Sequence, residues 1–190
     1  MISYCKKEDL EECVSLHVNT LREGLFYELG ENILKKAYYT AITDPDSFLI
    51  ANKEHGRING IALGTKNIDQ FIEKVRSKCF FDILKGVIKL VIKKPISIIT
   101  VIDSVFYTGK YKAELLFLFV QEKEGRRGIG TRLIERTNEI FKKWKVKSYR
   151  VVFLDSNEKA KGFYHKKGFV LSNKHAFLNI RKLVYVKTLT

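Results

Sequence analysis

The chain has 190 residues, of which 45% are hydrophobic and 12% are aromatic. This composition excludes a disordered polypeptide and predicts a single folded domain over residues 1–190. The formal net charge of +14 favours an anionic partner, namely nucleic acid, a phosphate-bearing cosubstrate or an anionic membrane surface, although the lysines are spread along the whole chain as solvated surface charge would be.

The cysteine and histidine content also restricts the chemistry of the chain. The three cysteines form no C-x-x-C pair, and the four histidines are far apart in the sequence. This pattern favours a reducing compartment, no structural disulfide and no bound metal. The amino terminus has no apolar core typical of a signal peptide, and no apolar run is long enough to cross a bilayer. We therefore expect a cytoplasmic protein.

The first 65 residues predict a strand, two helices and a hairpin. Residues 2–5 have the pattern of a short strand, and Asp9 is a candidate cap for the helix that follows. A second helix is expected over residues 31–42, before Pro45. Two apolar stretches, 47–52 and 58–65, are separated by a short polar connection that contains Gly56, which is typical of a β-hairpin.

A basic amphipathic insertion follows at about residues 66–111. Its apolar side chains recur at helical spacing, and residues 66–112 contain ten Lys or Arg against four Asp or Glu. One interpretation is a surface for a membrane or an acidic partner, or a lid over a substrate. The other is one or two helices packed on the core with solvated lysines, and we favour that interpretation because such helices are common on globular proteins.

The central stretch predicts a buried strand, a glycine-rich turn and an amphipathic helix. Residues 115–120 are all apolar, residues 125–130 read Gly-Arg-Arg-Gly-Ile-Gly, and apolar side chains then continue at helical spacing to Trp144. The first N–H groups of a helix have no partner within it, and glycines allow a ligand to approach the backbone closely. The turn is therefore a candidate phosphate site, although a tight turn without a ligand would have the same local pattern.

The remaining residues predict a strand, a short helix and a closing hairpin. Residues 148–154 have the pattern of a strand, and Ser156 or Asn157 can cap a helix over residues 158–167 that ends at Gly168. Apolar residues resume at Phe169, and a last strand lies within residues 177–189.

Two motifs together resemble the acyl-CoA-binding core of the GNAT N-acetyltransferase superfamily. The first is Arg127-Gly128-Ile129-Gly130-Thr131 after the apolar strand, and the second is Asn157-x-x-Ala160-x-x-x-Tyr164-x-x-x-Gly168-Phe169. The resemblance covers residues 113–170, and members with a helical insertion between the third and fourth strands are similar over the insertion as well. It implies an α/β (α+β) fold, in which helices flank a mixed central sheet.

The resemblance also implies which residues bind acetyl-CoA, the expected cosubstrate. In the family, backbone groups of the central strand bind the pantetheine arm, which here assigns Leu118, Phe119 and Val120. Backbone amides of the turn bind the pyrophosphate, which here assigns Arg126, Arg127, Gly128, Ile129, Gly130 and Thr131. Asn157 matches a side chain that commonly bonds the cofactor arm.

Two catalytic roles follow from the same resemblance. Tyr164 matches the tyrosine that often protonates the departing CoA thiolate, and a phenol of pKa about 10 suits a thiol of similar pKa. By spacing alone Tyr164 would be a core aromatic residue. Glu114 matches the position where some members hold a glutamate that removes a proton from the amine, often through water. The alternative is a strand-end glutamate that faces solvent.

The turn departs from the family pattern at one position. The family usually has Arg or Gln three residues before the first glycine of the motif, and this chain has Gly125 there. Because the turn offers mainly backbone N–H groups, the change affects a side-chain contact rather than the phosphate site itself. The spacings of a dinucleotide fingerprint and of a P-loop are both absent.

We therefore expect an N-acetyltransferase that moves an acetyl group from acetyl-CoA to a primary amine. A small molecule such as an amino sugar is favoured as acceptor, with a protein amine next, and a homodimer and peripheral membrane contact through the insertion are possible. No nucleic-acid partner is expected, because RNA-binding aromatic motifs and zinc spacings are absent from the sequence. The rival interpretations are a basic nucleic-acid-binding module and a GNAT-fold protein that binds CoA or lipid without transfer.

Overall fold

The computed structural model describes residues 1–21, 30–79, 110–124, 127–177 and 180–190. These residues form one seven-stranded sheet whose strand order is β1-β2-β3-β4-β5-β7-β6. The strands are β1 (Ile2–Tyr4), β2 (Ser47–Glu54), β3 (Arg57–Thr65), β4 (Glu114–Val120), β5 (Ser148–Leu154), β6 (Val170–Phe177) and β7 (Ile180–Thr188). Neighbouring strands are antiparallel except for β4 and β5, which are parallel. The predicted mixed sheet is confirmed.

Helices cover both faces of this sheet. They are α1 (Leu10–Thr20), α2 (Glu31–Thr43), α3 (residues 68–79), α4 (Ile129–Lys143) and α5 (Glu158–Lys166). Alternate residues of β2 join different cores, since Leu49 belongs to the core beneath α1, α2 and α3, whereas Phe48 belongs to the core beneath α4 and α5. Successive side chains of a strand point to opposite faces, so the sheet separates the two groups of helices. No helix within the described ranges is long and apolar enough to span a bilayer.

The hairpin and the two amino-terminal helices are confirmed, with one correction at Asp9. We expected the Asp9 side chain to cap α1, but it makes no capping bond to that helix. Its carboxylate instead accepts hydrogen bonds from the Lys6 amide at 2.8 Å and from Lys53 Nζ at 2.6 Å. Asp9 therefore joins the start of α1 to the β2–β3 hairpin, because an ion pair with Lys53 is available there.

The first part of the insertion packs on the core. Residues 68–79 are helical, and Ile68, Phe71, Val75 and Cys79 are buried beneath that helix. This is the interpretation that we favoured, an amphipathic helix with its lysines in solvent. Residues 80–109, and with them the rest of the predicted insertion, lie outside the described residues.

Candidate active site

The sheet divides where β4 meets β5. These two parallel strands are paired at a single register position, Glu114 with Arg150, where the Arg150 amide also donates to the Ala113 carbonyl at 3.0 Å. On its other edge β5 pairs with β7 over its whole length, from Ser148 to Leu154. The outer part of β4 therefore leaves backbone N–H and C=O groups on its β5 side outside the sheet ladder, where an extended ligand can bind them.

A bulge in β4 accompanies this division. Opposite β3, Gly64 pairs with Leu115 and Leu63 pairs with Phe117, so Leu116 is the extra residue. Leu116 and Phe117 consequently both pack in the core beneath α1, although consecutive side chains of a regular strand would point to opposite faces. A bulge bends its strand and increases its twist, which is a physical reason for β4 to diverge from β5 beyond this point.

The turn after β4 presents the amino-terminal end of α4. Gly128 precedes the helix with φ +74°, a left-handed conformation in which a Cβ would be strained, and no side chain caps the helix. The first intrahelical bond runs from the Arg132 amide to the Gly128 carbonyl at 3.1 Å. The amides of residues 128–131 thus precede the helical ladder and carry the positive end of the helix dipole. This arrangement is suited to an anion.

Close packing places these amides beside β4 and α5. A Cβ on Gly130 would lie 3.3 Å from the Phe163 ring and 3.9 Å from Leu118 Cδ2. A Cβ on Gly60 of β3 would lie 2.9 Å from Ile129 Cγ2, so α4 rests directly on the β3 backbone. The structure therefore places Gly130 of the turn beside Leu118 of β4, two of the residues predicted to bind the cofactor.

The Arg127 side chain faces two carboxylates. Its guanidinium pairs with Glu124 and lies 3.1 Å from Glu54 Oε2. These carboxylates raise the pKa of Arg127, with the hydrogen bond to Glu124 as the first cause. Its charge is therefore largely compensated within the protein, while Arg126 lies outside the described residues.

Asn157 lies at the amino-terminal end of α5 and confirms the predicted cap. Its Oδ1 accepts a hydrogen bond from the Ala160 amide at 2.9 Å, and the residue is exposed. Because the side-chain oxygen is used by the helix, the NH₂ group of Asn157 is the part that can donate to a ligand.

Tyr164 projects from α5 toward β5. Its ring stacks on Phe153 at a centroid distance of 5.4 Å and meets the ring of Phe169 edge-on at 5.1 Å. Only 8% of the residue is exposed, and burial raises the pKa of Tyr164 above its ordinary value. The phenol therefore keeps its proton at physiological pH, so it can donate a proton but is a poor base.

Glu114 lies at the paired end of β4 and not in solvent, so the solvent-facing alternative is wrong. Its side chain is 12% exposed, and its Oε2 lies 2.6 Å from Nε of Arg150, whose side chain is 2% exposed. Burial raises the pKa of Glu114, and the Arg150 charge opposes that increase. Phe153, which stacks on Tyr164, is three residues from Arg150, so the positions of β5 that pair with Glu114 and contact Tyr164 are about 10 Å apart along the strand, with their side chains on opposite faces.

Three residues that sequence reasoning missed support this site: Arg132, Glu54 and Arg150. Arg132 Nη1 donates to the Arg127 carbonyl at 3.1 Å, and Arg132 Nη2 lies 3.5 Å from Glu54 Oε1. A cation in the first turn of a helix is unfavourable, so the position of Arg132 in the sequence indicated that a negatively charged partner lies nearby. Arg150 was the only charge in an otherwise largely apolar strand. Glu54 gave no local signal of this role, because its two arginine partners are more than seventy residues away in the sequence.

The described residues contain no group of three or more His, Cys, Asp or Glu that could hold a metal ion. The candidate site is therefore described by backbone amides, a strand edge, Tyr164 and the Glu114–Arg150 pair.

Comparisons with known proteins agree with this geometry. Residues 88–171 match the family described as Acetyltransferase (GNAT) domain. No curated protein matches the chain. Among solved structures, the fold is similar to the ribosomal-protein-S18-alanine N-acetyltransferase from Escherichia coli, with 12% identity, a TM-score of 0.65 and coverage of 100% of this chain and 94% of that chain.

Two archaeal structures share the fold as well. Ard1 from Thermoplasma volcanium has 14% identity and a TM-score of 0.65, and the similarity covers 100% of this chain and 97% of that chain. The PaiA N-acetyltransferase from Thermoplasma acidophilum, solved in complex with coenzyme A, has 14% identity and a TM-score of 0.62, over 99% of this chain and 98% of that chain. Residues 88–171 thus match a GNAT acetyltransferase domain, and the chain shares its fold with solved N-acetyltransferases.

Proposed function

We propose that the protein transfers an acetyl group from acetyl-CoA to a primary amine by direct attack of the amine on the thioester. The observation that carries this proposal is the divided sheet, in which β4 separates from β5 after one paired position and is followed by the amide-rich start of α4. An open strand edge can bind the amide groups of an extended ligand, and the helix amino terminus that follows it can bind phosphates. The pantetheine arm and the pyrophosphate of CoA have the same order.

Acetyl-CoA fits these groups in a single orientation. The pantetheine arm contains two amide groups and would bond the free edge of β4 at Leu118, Phe119 and Val120, as an added strand does. The pyrophosphate would then accept hydrogen bonds from amides of residues 126–131. These residues lie at the amino-terminal end of α4, where the helix dipole favours an anion. The NH₂ group of Asn157 would donate to the arm from the opposite side.

In this proposal Tyr164 supplies the proton of the second half of the reaction. As the amine nitrogen bonds to the acetyl carbon, the C–S bond breaks and the thiolate must be neutralised. The Tyr164 phenol is buried against Phe153 and Phe169 and keeps its proton because burial raises its pKa. The phenol is therefore protonated when the thiolate departs, but burial also makes it a weaker acid than a free phenol. Its match to the tyrosine of the family motif is what assigns it the role of acid.

We assign proton removal from the amine to Glu114, acting through water. Its pairing with Arg150 keeps the carboxylate ionised, while burial raises its pKa toward the range of a useful base. This role predicts that kcat/KM of the wild type rises with pH through the pKa of Glu114. Glu114→Gln should remove that dependence, which a pH–rate profile measures, and an unchanged rise would assign the base elsewhere.

The acceptor is a primary amine, and we propose a small molecule such as an amino sugar ahead of a protein amine. The acceptor pocket is expected to involve α1, α2 and the insertion, and residues 22–29 and 80–109 of that region lie outside the described residues. The cytoplasmic location, the homodimer and the peripheral membrane contact stay predictions.

One experiment tests the proposed function. Purified protein is incubated with acetyl-CoA and a panel of amines, amino sugars and peptides, and release of free CoA is followed with a thiol reagent. Turnover with one acceptor class supports transfer. Saturable CoA binding in calorimetry without turnover on any acceptor would favour the non-catalytic CoA-binding alternative. No calorimetric heat with millimolar acetyl-CoA would overturn the cosubstrate assignment itself.

A further inference from the structure

The β2–β3 hairpin contributes a carboxylate to the turn that precedes α4. Glu54, the last residue of β2, has one oxygen 3.1 Å from Arg127 Nη2 and the other 3.5 Å from Arg132 Nη2. Glu54 is thus the common partner of the two arginines on either side of the amide-rich residues 128–131. None of the cosubstrate roles described above uses Glu54 or Arg132.

Buried amides hold Glu54 in place. Asn52 Nδ2 donates to Glu54 Oε1 at 3.1 Å and Asn59 Nδ2 donates to Glu54 Oε2 at 3.4 Å, while Asn52 is fully buried and Asn59 is 6% exposed. The hydrogen bond from Asn52 is the largest cause that lowers the pKa of Glu54, followed by the Arg127 charge and the hydrogen bond from Asn59. The carboxylate therefore stays ionised, and its position is fixed by the sheet rather than by the turn.

Arg132 links the Glu54 carboxylate to the backbone of the turn. Its Nη1 donates to the Arg127 carbonyl at 3.1 Å, and the peptide bond between Arg127 and Gly128 is trans. In a planar trans peptide the C=O and the following N–H point in opposite directions. Holding the Arg127 carbonyl therefore also fixes the direction of the Gly128 N–H, which points away from the arginine.

The location of Arg132 has an electrostatic cost that this arrangement explains. Arg132 lies in the first turn of α4, a turn without an acidic residue, and the helix dipole there disfavours a cation. Glu54 supplies the missing negative charge from another element of the fold.

We propose that Glu54 and Arg132 are positioning residues for the phosphate-binding turn: Glu54 holds Arg132, and Arg132 orients the Arg127–Gly128 peptide so that the Gly128 amide faces the CoA pyrophosphate. The inference rests on the proposed function only in naming CoA as the ligand. In this proposal neither side chain contacts the phosphates, and both act through the backbone.

Calorimetric titration of the full chain with CoA and with pantetheine, which lacks the phosphates, tests this inference. Arg132→Met and Glu54→Met should each weaken CoA binding by about tenfold or more, the effect of losing one charge-assisted hydrogen bond. Pantetheine binding should not change. Arg136→Met is the matched control, because Arg136 lies one turn further along α4, where it pairs with Glu139 and covers the Tyr4 ring, and it should bind CoA as the wild type does.

The signs of two effects separate positioning from simple charge. A general electrostatic role predicts that Glu54→Met strengthens CoA binding, since a carboxylate near the phosphates is removed, whereas positioning predicts weaker binding. Arg132→Lys keeps the charge but lacks the planar fork that reaches Glu54 and the Arg127 carbonyl together, so positioning predicts no rescue.

The outcomes distinguish this inference from the proposed function. Tighter CoA binding by Glu54→Met, or wild-type CoA affinity of Arg132→Lys, overturns the inference and leaves the proposed function intact. Failure of the wild type itself to bind CoA overturns both. Should Arg132→Met not fold, Arg132→Lys, which keeps the charge and most of the aliphatic stem, and Glu54→Met carry the test.

Discussion

The two ends of β4 differ in almost every property that matters for the site. At its first residue, Glu114, the strand is paired to β5 and joined to it by a buried ion pair with Arg150. At its last residue, Val120, the strand has no partner on the β5 side among the described residues, and the chain continues into a turn whose amides precede α4. We call the end at Glu114 the closed end, because the ion pair and the strand pairing join it to β5, and the end at Val120 the open end.

This contrast teaches how a sheet makes room for an extended ligand without losing its core. The ion pair joins the two strands at the closed end, and the bulge at Leu116 is a physical reason for β4 to diverge from β5 beyond it. The opening is bounded on its far side by α5, where Tyr164 stacks on Phe153 of β5. Specificity for the cosubstrate is therefore expected from the open end, and stability from the closed end.

The largest effect is expected from Tyr164→Phe, which removes the proposed acid at the open end. The rate constant kcat should fall by about a hundredfold or more, as general acid catalysis contributes that much, while binding of acetyl-CoA is retained. Steady-state kinetics over a range of pH measures both. Tyr149→Phe is the control, because Tyr149 is a buried tyrosine whose hydroxyl donates to Asn138 at 2.8 Å. An unchanged kcat in Tyr164→Phe would remove the acid role.

At the closed end, Arg150→Met should lower the free energy of unfolding by about 3–5 kcal/mol. The substitution leaves the buried Glu114 carboxylate without its ion-pair partner, and an uncompensated buried charge is costly. Urea unfolding measures the change. Lys35→Met, which removes the exposed ion pair with Glu11, should leave the midpoint unchanged. Equal midpoints for Arg150→Met and the wild type would show that the ladder alone closes this end.

Local patterns predicted much of this arrangement, because each signal lay in neighbouring residues. The apolar run of β4, the glycines before α4 and the cap at Asn157 are consecutive features, and the structure confirms the strand, the turn and the cap. Asp9 was predicted wrongly because its partner, Lys53, is 44 residues away.

The supporting contacts of the site were not readable from the sequence for the same reason. Arg150 pairs with Glu114 across 36 residues, and Glu54 is brought to Arg127 and Arg132 by the pairing of β2, β3 and β4. A charge in an apolar strand or in the wrong turn of a helix signals that a partner exists. It does not say which residue that partner is, since the choice depends on strand order and register.

The face of β4 opposite α4 provides a pH test that is independent of both ends. His17 of α1 is buried against Phe117 and Phe119, with Nδ1 2.6 Å from the Tyr38 hydroxyl, and burial lowers the pKa of His17 to about 4. Below pH 6.5, His17 is therefore protonated in the unfolded chain, whereas in the folded protein it stays neutral down to about pH 4. The contribution of neutral His17 to the free energy of unfolding is fully present above pH 6.5. It is lost as the pH falls toward 4, by about 3 kcal/mol in total.

Urea unfolding at pH 7, 5.5 and 4.5 measures this loss, and His17→Gln should reduce it while keeping a bond to Tyr38. The lowered pKa values of Asp9 and Asp44 place their own titrations below this window. The difference between the wild-type and variant curves isolates His17, and parallel curves would contradict its neutral burial.

The smallest effect expected separates backbone strain from ligand binding at the open end. Gly128 and Gly56 have nearly the same left-handed conformation, with φ +74° and +73°, but Gly56 lies in the β2–β3 turn, where an added Cβ would have no atom within 4 Å. Gly128→Ala and Gly56→Ala should therefore each cost about 1–2 kcal/mol of stability. Only Gly128→Ala should also raise the KM for acetyl-CoA, because relief of the strain rotates the amide that we propose faces the pyrophosphate. Equal KM values for the two variants would mean that the open end binds its ligand without the Gly128 amide.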